Sequence, residues 1–215
     1  MTDNTELEKR ESIIKHCLLM NALGVNQGTS GNISVRHGDG LLITPTSYAY
    51  DKLQPEDIVS LQLDGAAQGR RAPSSEWRFH CDIFRARPDV EAIVHAHPPY
   101  CTVLAIMGRP IPAIHYMIAA AGGPEIRCSP YAIFGSRELS QHAVAALVDR
   151  KACLLGHHGM IALGASLEKA MWLAVEVETL ARQYHGCLQI GEPPVLSDGQ
   201  IADVAKKMAG YGLGD

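Results

Sequence analysis

The sequence predicts a layered α/β domain around a largely antiparallel sheet. Two observations carry this. Segments with the two-residue period of strands are mixed with segments of helical period, but without the regular βαβ rhythm that builds an all-parallel sheet. The chain of 215 residues, 47% hydrophobic and 20% charged, is long enough to bury one sizeable core and ordinary in composition. No repeat, low-complexity tract or linker interrupts it, so residues 1–215 are read as one domain.

Taken in order, "ELEKRESIIKHCLLMNALG" places Ile14, Cys17, Leu18 and Asn21 at helical spacing, and Gly24 is a natural C-terminal stop. The short runs "NISVRH" and "LLITPT" read as strands joined by Gly-rich connections, and "DIVSLQLDG" as a strand ending in a turn at Asp64-Gly65. In "SSEWRFHCDIFRARPD" Ser74 can cap a helix whose stripe is Trp77, Cys81 and Phe84 and which Pro88 closes. "EAIVHAHPPY" alternates, with Ile93, His95 and His97 on one face, and Pro98-Pro99 ends the ladder. Further strands are expected around "IPAIHYM" and in "KACLLGHHGMIAL". Helices are expected at 136–149, 166–186 and 197–209, the last opening with the capping-box pair Ser197 and Gln200.

Composition excludes several classes. A net charge of −4 gives no basic footprint for nucleic acid. No apolar run is long enough to span a bilayer. The opening "MTDNTELEKRES" is polar and acidic where a signal peptide would be basic and then apolar. Six scattered cysteines without a C-x-x-C pair read as reduced thiols, and the expected location is the cytoplasm.

The ten histidines are unevenly used. His95 and His97 would project the same way from the end of one strand, as two metal donors do. In "LLGHHGM" the adjacent His157 and His158 should face opposite ways, so one of them can supply a third donor. Glu76, in the first helical turn after Ser74-Ser75, is the carboxylate that draws notice. A helix start favours an anion by ~0.3–1 kcal/mol, and Ser74 and Ser75 add hydroxyl donors there. "GTSGNIS" and "TPTS" add small residues and donors on loops, the lining a phosphate uses. A phosphate pocket beside a metal is the combined expectation.

The ordered blocks "LGVNQGTSGNISVR", "LITPTS", "LQPEDIVS", "PSSEWRFH", "VHAH", "IPAIHYMIAAAGG", "PYAIFGSREL", "LLGHHGMIA", "LEKAMWLAVEVE" and "YGL" resemble the class II aldolase/adducin family from about residue 7 to residue 213. The resemblance implies an α/β/α domain around a central antiparallel sheet, assembled as a homotetramer with sites near subunit interfaces. It implies that Glu76, His95, His97 and His158 bind Zn2+ and that Glu76 is also the acid/base. It assigns Gly31, Asn32, Thr46, Ser47, Ser74 and Ser75 to the substrate phosphate. Tyr116, Phe134 and Tyr211 match positions that shape the pocket and assist the carbon–carbon bond chemistry.

The implied reaction is reversible cleavage of a phosphorylated sugar, a ketose 1-phosphate such as L-fuculose 1-phosphate, to dihydroxyacetone phosphate and an aldehyde such as L-lactaldehyde. Related activities on 5-deoxyribulose or 5-methylthioribulose 1-phosphate, and a pentulose-5-phosphate 4-epimerase, are the alternatives. Two departures bear on that choice: Ser47 stands where a glycine is common, and Pro98-Pro99-Tyr100 is expected to reshape the aldehyde side of the pocket.

Overall fold

The computed structural model describes residues 4–208. Helix α1 (Asn4–Ala22) leads into the hairpin β1 (Asn32–His37) and β2 (Gly40–Ile43), then β3 (Val59–Gln62) and the two-residue β4 (Ala67–Gln68). Helix α2 (Trp77–Ala86) precedes β5 (Ala92–Ala96) and α3 (Pro99–Ile106). Next come β6 (Ile111–Pro112), a 3-10 segment (Tyr116–Ala121), β7 (Glu125–Ser129) and α4 (Arg137–Ala146). The last elements are β8 (Ala152–Leu155), β9 (Gly159–Gly164), α5 (Leu167–Leu188) and α6 (Asp198–Met208).

The strands form one nine-stranded sheet in the order β4-β3-β2-β1-β5-β9-β8-β7-β6. Every neighbouring pair is antiparallel except β7–β8. A core fills each face. On one, Ile13 and Cys17 of α1, Leu104 of α3 and Leu173 and Val177 of α5 pack on Ile33, Val94 and Leu154. On the other, Phe79, Ile83 and Phe84 of α2 and Leu139 and Ala143 of α4 pack on Leu41, Ile93, Cys153 and Ile161. The expected α/β/α layering with a largely antiparallel sheet is observed.

Local details differ from expectation. The buried stripe of α1 is Ile13, His16, Cys17 and Met20; Leu18 and Asn21 face outward, so the core-facing stripe runs one residue earlier than Ile14 suggested. "KACLLGHHGMIAL" is two strands, β8 and β9, joined by a turn in which the His158 N–H donates to the Leu155 carbonyl. "IPAIHYM" contains only the short β6 before the 3-10 segment. Helix α3 and strands β4 and β7 were not anticipated. Gly24 does end α1 in a left-handed turn (φ 68°), and the Ser197–Gln200 capping box forms with reciprocal bonds of 2.8 and 3.3 Å. Among the described residues, no helix is long and apolar enough to cross a membrane.

Candidate active site

The site forms where β1, β5, the β8–β9 turn and the start of α2 meet. Alternation along β5 sends Ile93 and His95 to the α2 side of the sheet, and His97 follows just beyond the strand end. His95 Nε2 and His97 Nε2 lie 3.0 Å apart. Their close approach to β9 requires Gly159, where a Cβ would come 2.4 Å from the Ala96 carbonyl and 2.8 Å from the His97 ring. His158 reaches the same point from the β8–β9 turn. Its neighbour His157 takes a left-handed conformation (φ 56°) and is exposed. The two histidines therefore part because of a turn, where strand alternation had been expected to separate them.

Helix α2 begins at Trp77 with Glu76 at the N-cap position, so Ser74, expected to be the cap, lies three residues before the first helical residue; its hydroxyl accepts from the Glu76 N–H (3.2 Å) and its carbonyl from the Trp77 N–H (3.1 Å). That turn directs the Glu76 carboxylate inward. Oε2 lies 3.0 Å from His95 Nε2 and accepts from Asn32 Nδ2 at 3.0 Å. Oε1 lies 3.2 Å from His158 Nε2, yet it is buried without a hydrogen-bond partner, since the approach is not aligned for one. The four donor atoms all lie within 4.8 Å of one another.

The electrostatics suit a cation. Burial pushes His97 down to about 3 and His158 down to about 4, with the neighbouring His95 adding to both, so each imidazole keeps a free lone pair at neutral pH. Burial alone would raise Glu76, but the adjacent His95, then His158 and the Asn32 amide, hold it well below the usual carboxylate range. His95 Nδ1 is 2.9 Å from the Met160 carbonyl; an N–H there leaves Nε2 as the lone-pair donor toward the centre. An ionised, buried oxygen without a partner costs ~1–3 kcal/mol or more. A cation among these four residues removes that cost. Ligands ~2.1 Å from a four-coordinate ion lie ~3.4 Å apart, a few tenths of an ångström beyond the 3.0, 3.0 and 3.2 Å of three of the donor pairs. The residues therefore fit a divalent metal.

A cavity of about 500 Å³ opens beside this cluster, lined by Glu76, His97 and His158 and by Gly31, Asn32, Thr46, Ser47, Ser74, Ser75 and Phe134. Its serine-rich wall is held by short pairings between distant segments: the Ser74 N–H donates to the Thr44 carbonyl (3.0 Å) and the Thr46 N–H to the Ala72 carbonyl (3.2 Å). Gly31 fits because a Cβ would lie 2.6 Å from the His95 carbonyl. Thr29, Ser30, Tyr131 and His157 also line the cavity. Thr29 and Ser30 sit in the quoted "GTSGNIS"; Tyr131 carried no signal beyond its place three residues before Phe134.

Two further tyrosines were singled out. Tyr116 is half-exposed, at 47%, and is not among the residues lining the cavity of its own chain. Tyr211 lies outside the described residues. Pro98, Pro99 and Tyr100 do not line the cavity either; they start α3, and Tyr100 packs near His185 and Arg182 of α5.

The layered fold and the Glu/His3 cluster define a protein with a site for a divalent metal, and comparison with known proteins gives its family. Residues 11–185 match the family described as class II aldolase and adducin N-terminal domain. The chain is 57% identical over 202 residues to an L-fuculose phosphate aldolase of Escherichia coli, with 94% of each chain covered. It is 56% identical over 203 residues to a 5-methylthioribulose-1-phosphate/5-deoxyribulose-1-phosphate aldolase of Rhodospirillum rubrum, covering 94% of this chain and 92% of the relative. A solved L-fuculose 1-phosphate aldolase superposes with a TM-score of 0.92 at 36% identity, covering 97% and 98% of the two chains. The chain belongs to the class II aldolase and adducin family, and within it to the aldolases, which are lyases.

Proposed function

We propose that this chain is a zinc-dependent aldolase that reversibly cleaves L-fuculose 1-phosphate, or a similar ketose 1-phosphate, to dihydroxyacetone phosphate and an aldehyde such as L-lactaldehyde. The observation that carries the reading is that the Glu76–His95–His97–His158 cluster opens onto the cavity walled by Thr46, Ser47, Ser74 and Ser75. That juxtaposition suits a substrate with a phosphate at one end and oxygens for a metal at the other.

When bound by these four residues, Zn2+ supplies Lewis-acid polarisation of the ketone oxygen and its neighbouring hydroxyl, worth several kcal/mol of charge stabilisation. The protein's own groups do the rest. Backbone and hydroxyl donors of Gly31, Asn32, Thr46, Ser47, Ser74 and Ser75 hold the phosphate, fixing the reacting carbon against Glu76. The Glu76 carboxylate carries the proton at the carbon that becomes C3 of dihydroxyacetone phosphate. Phe134 walls the pocket, and Tyr116 and Tyr211 handle the proton on the oxygen that becomes the aldehyde's, taking it in cleavage and returning it in condensation. In this reading the chain assembles as a homotetramer, and the exposed Tyr116 serves a neighbouring subunit's site. Exposed Tyr131, Ile133 and Phe134 support the same arrangement. We read residues 1–215 as one cytoplasmic domain.

A second reading changes only the substrate. A relative of nearly equal identity is named for 5-methylthioribulose and 5-deoxyribulose 1-phosphates. Where such tails differ only in apolar contacts, a site separates them weakly, by ~1–3 kcal/mol per methylene.

The test is release of dihydroxyacetone phosphate from the three ketose 1-phosphates, read with a coupled dehydrogenase, with and without chelator. Chelator-sensitive release is expected, and the ranking of kcat/KM names the substrate. Glu76→Gln should lose at least about a hundredfold in kcat, the scale of general acid–base catalysis, while keeping affinity for phosphate-bearing ligands. Retained turnover in Glu76→Gln, or no release from any substrate, overturns the assignment.

A further inference from the structure

The Glu76 carboxylate is oriented by a buried chain of three side chains, Ser34, His80 and Asn32, of which only Asn32 also lines the cavity. His80 lies one turn along α2 and is fully buried. Its Nε2 is 2.5 Å from Asn32 Oδ1 and its Nδ1 is 2.6 Å from Ser34 Oγ. Asn32 Nδ2 then donates to Glu76 Oε2 at 3.0 Å. Asn32 and Ser34 alternate onto the same side of β1, where Asn32 pairs directly with His95.

One assignment of protons satisfies the whole chain. Asn32 must use its N–H2 toward the carboxylate, because a carboxylate only accepts; its Oδ1 therefore faces His80 and needs a donor. Neutral His80 supplies one from Nε2–H, leaving Nδ1 to accept from the Ser34 hydroxyl. The direction runs Ser34 to His80 to Asn32 to Glu76. Without the His80 donor, only the Glu76 carboxylate holds the Asn32 amide in this orientation, and Oδ1 is left buried without a donor, so the amide and the carboxylate it braces are free to shift. His80 also stacks on Phe79 (centroids 4.6 Å apart), whose ring meets His95 edge-on at 5.4 Å. One imidazole thus braces the carboxylate donor and touches the packing of a histidine donor.

We propose that His80 is a positioning residue that, through Asn32, holds Glu76 with Oε2 restrained and Oε1 presented to the metal. This rests on the reading of Glu76 as a metal ligand. Partners of this kind affect metal affinity by about 10–100-fold.

The experiment compares full-length wild type with His80→Phe, His80→Asn and His80→Gln, each first stripped of metal and then titrated with Zn2+ against a chromophoric chelator. Gln extends far enough to offer an N–H to Asn32 Oδ1, Asn is one methylene too short, and Phe keeps only the stacking. The expected result is Zn2+ affinity about 10–100-fold lower in His80→Phe and His80→Asn and restored to within about threefold in His80→Gln. The kcat for triose phosphate release should follow the same ranking. Wild-type Zn2+ affinity in His80→Asn, or His80→Gln no better than His80→Asn at equal melting temperature, overturns the proposal. If His80→Phe fails to fold, the Asn–Gln pair decides alone. If wild type cleaves none of the ketose phosphates, the proposed reaction fails while the Zn2+ series still tests His80.

Discussion

Ser47 is one of three non-glycine residues with positive φ among those described, at 50°. A side chain in that region is strained by roughly 1–2 kcal/mol, and the cost is greatest for branched ones. Ser47→Gly relieves the strain but loosens the unfolded chain, which offsets ~0.4–1 kcal/mol of the gain. Urea denaturation should therefore place Ser47→Gly within about 1 kcal/mol of wild type, and Ser47→Val at least about 1–2 kcal/mol lower. Equal stability of the two variants would contradict the left-handed backbone. The KM of Ser47→Gly for a ketose phosphate then reports the hydroxyl alone. The sequence marked this residue as unusual from its resemblance to a family, but nothing local disclosed the backbone reason. His157 is similar: its exclusion from the metal cluster was foreseen, while the turn that causes it lay hidden in a run of apolar residues resembling a single strand.

Helix α3 is the clearest case of an element that could not be read locally. Pro98-Pro99 looks like a stop, and no Ser, Thr, Asp or Asn stands at the helix start. Its cap comes from 78 residues away: Glu178 on α5 accepts from the Tyr100 N–H with Oε1 and from the Cys101 N–H with Oε2, both at 2.9 Å. Pro99, lacking an N–H, takes the first helical position at no loss. Removing both acceptors in Glu178→Ala should lower stability by ~1–2 kcal/mol, the scale of a lost cap. Chemical denaturation measures this, and no loss would mean the carboxylate is not the cap. The helices with their own punctuation fared differently. α4 begins after Ser136 and α5 after Ser166, whose side chains accept from the Leu139 and Lys169 N–H groups, and both lay where the spacing put them. Strands β4 and β7 were missed because two residues give no period, and because the alternation of β7 pairs Ile126 with the half-exposed Cys128.

The four metal donors come from three separate parts of the chain: Glu76 at the entry to α2, His95 and His97 at the end of β5, and His158 between β8 and β9. A divalent ion held among them binds only the folded protein, and at a hundred times its dissociation constant it adds ~2.7 kcal/mol. For a chain of this size that corresponds to a rise of roughly 5–11 °C in Tm. Calorimetry with and without chelator should show a drop of that order, and the drop should vanish in His158→Ala. An unchanged Tm on chelation in the wild type would contradict a cation at this cluster. The layers and the sheet were legible because burial imposes two periods on the sequence. The donor types were legible in the sequence as separate candidates, but the choice of His158 over His157 and the meeting of Glu76 with the histidines rested on resemblance to a family, because no spacing rule links residues that meet by β1–β5 and β5–β9 pairing.

That pairing also sets an order in time. β5 is clasped between β1, which precedes it by some sixty residues, and β9, which follows by as many, with β9 reached only after β8 has turned back on itself. During synthesis on the ribosome, Glu76, His95 and His97 emerge together, while His158 arrives later and must wait for β9 to dock. A nascent chain interrupted before that point carries an incomplete donor set, so tight capture of the ion marks a chain whose central strands have all been made and paired.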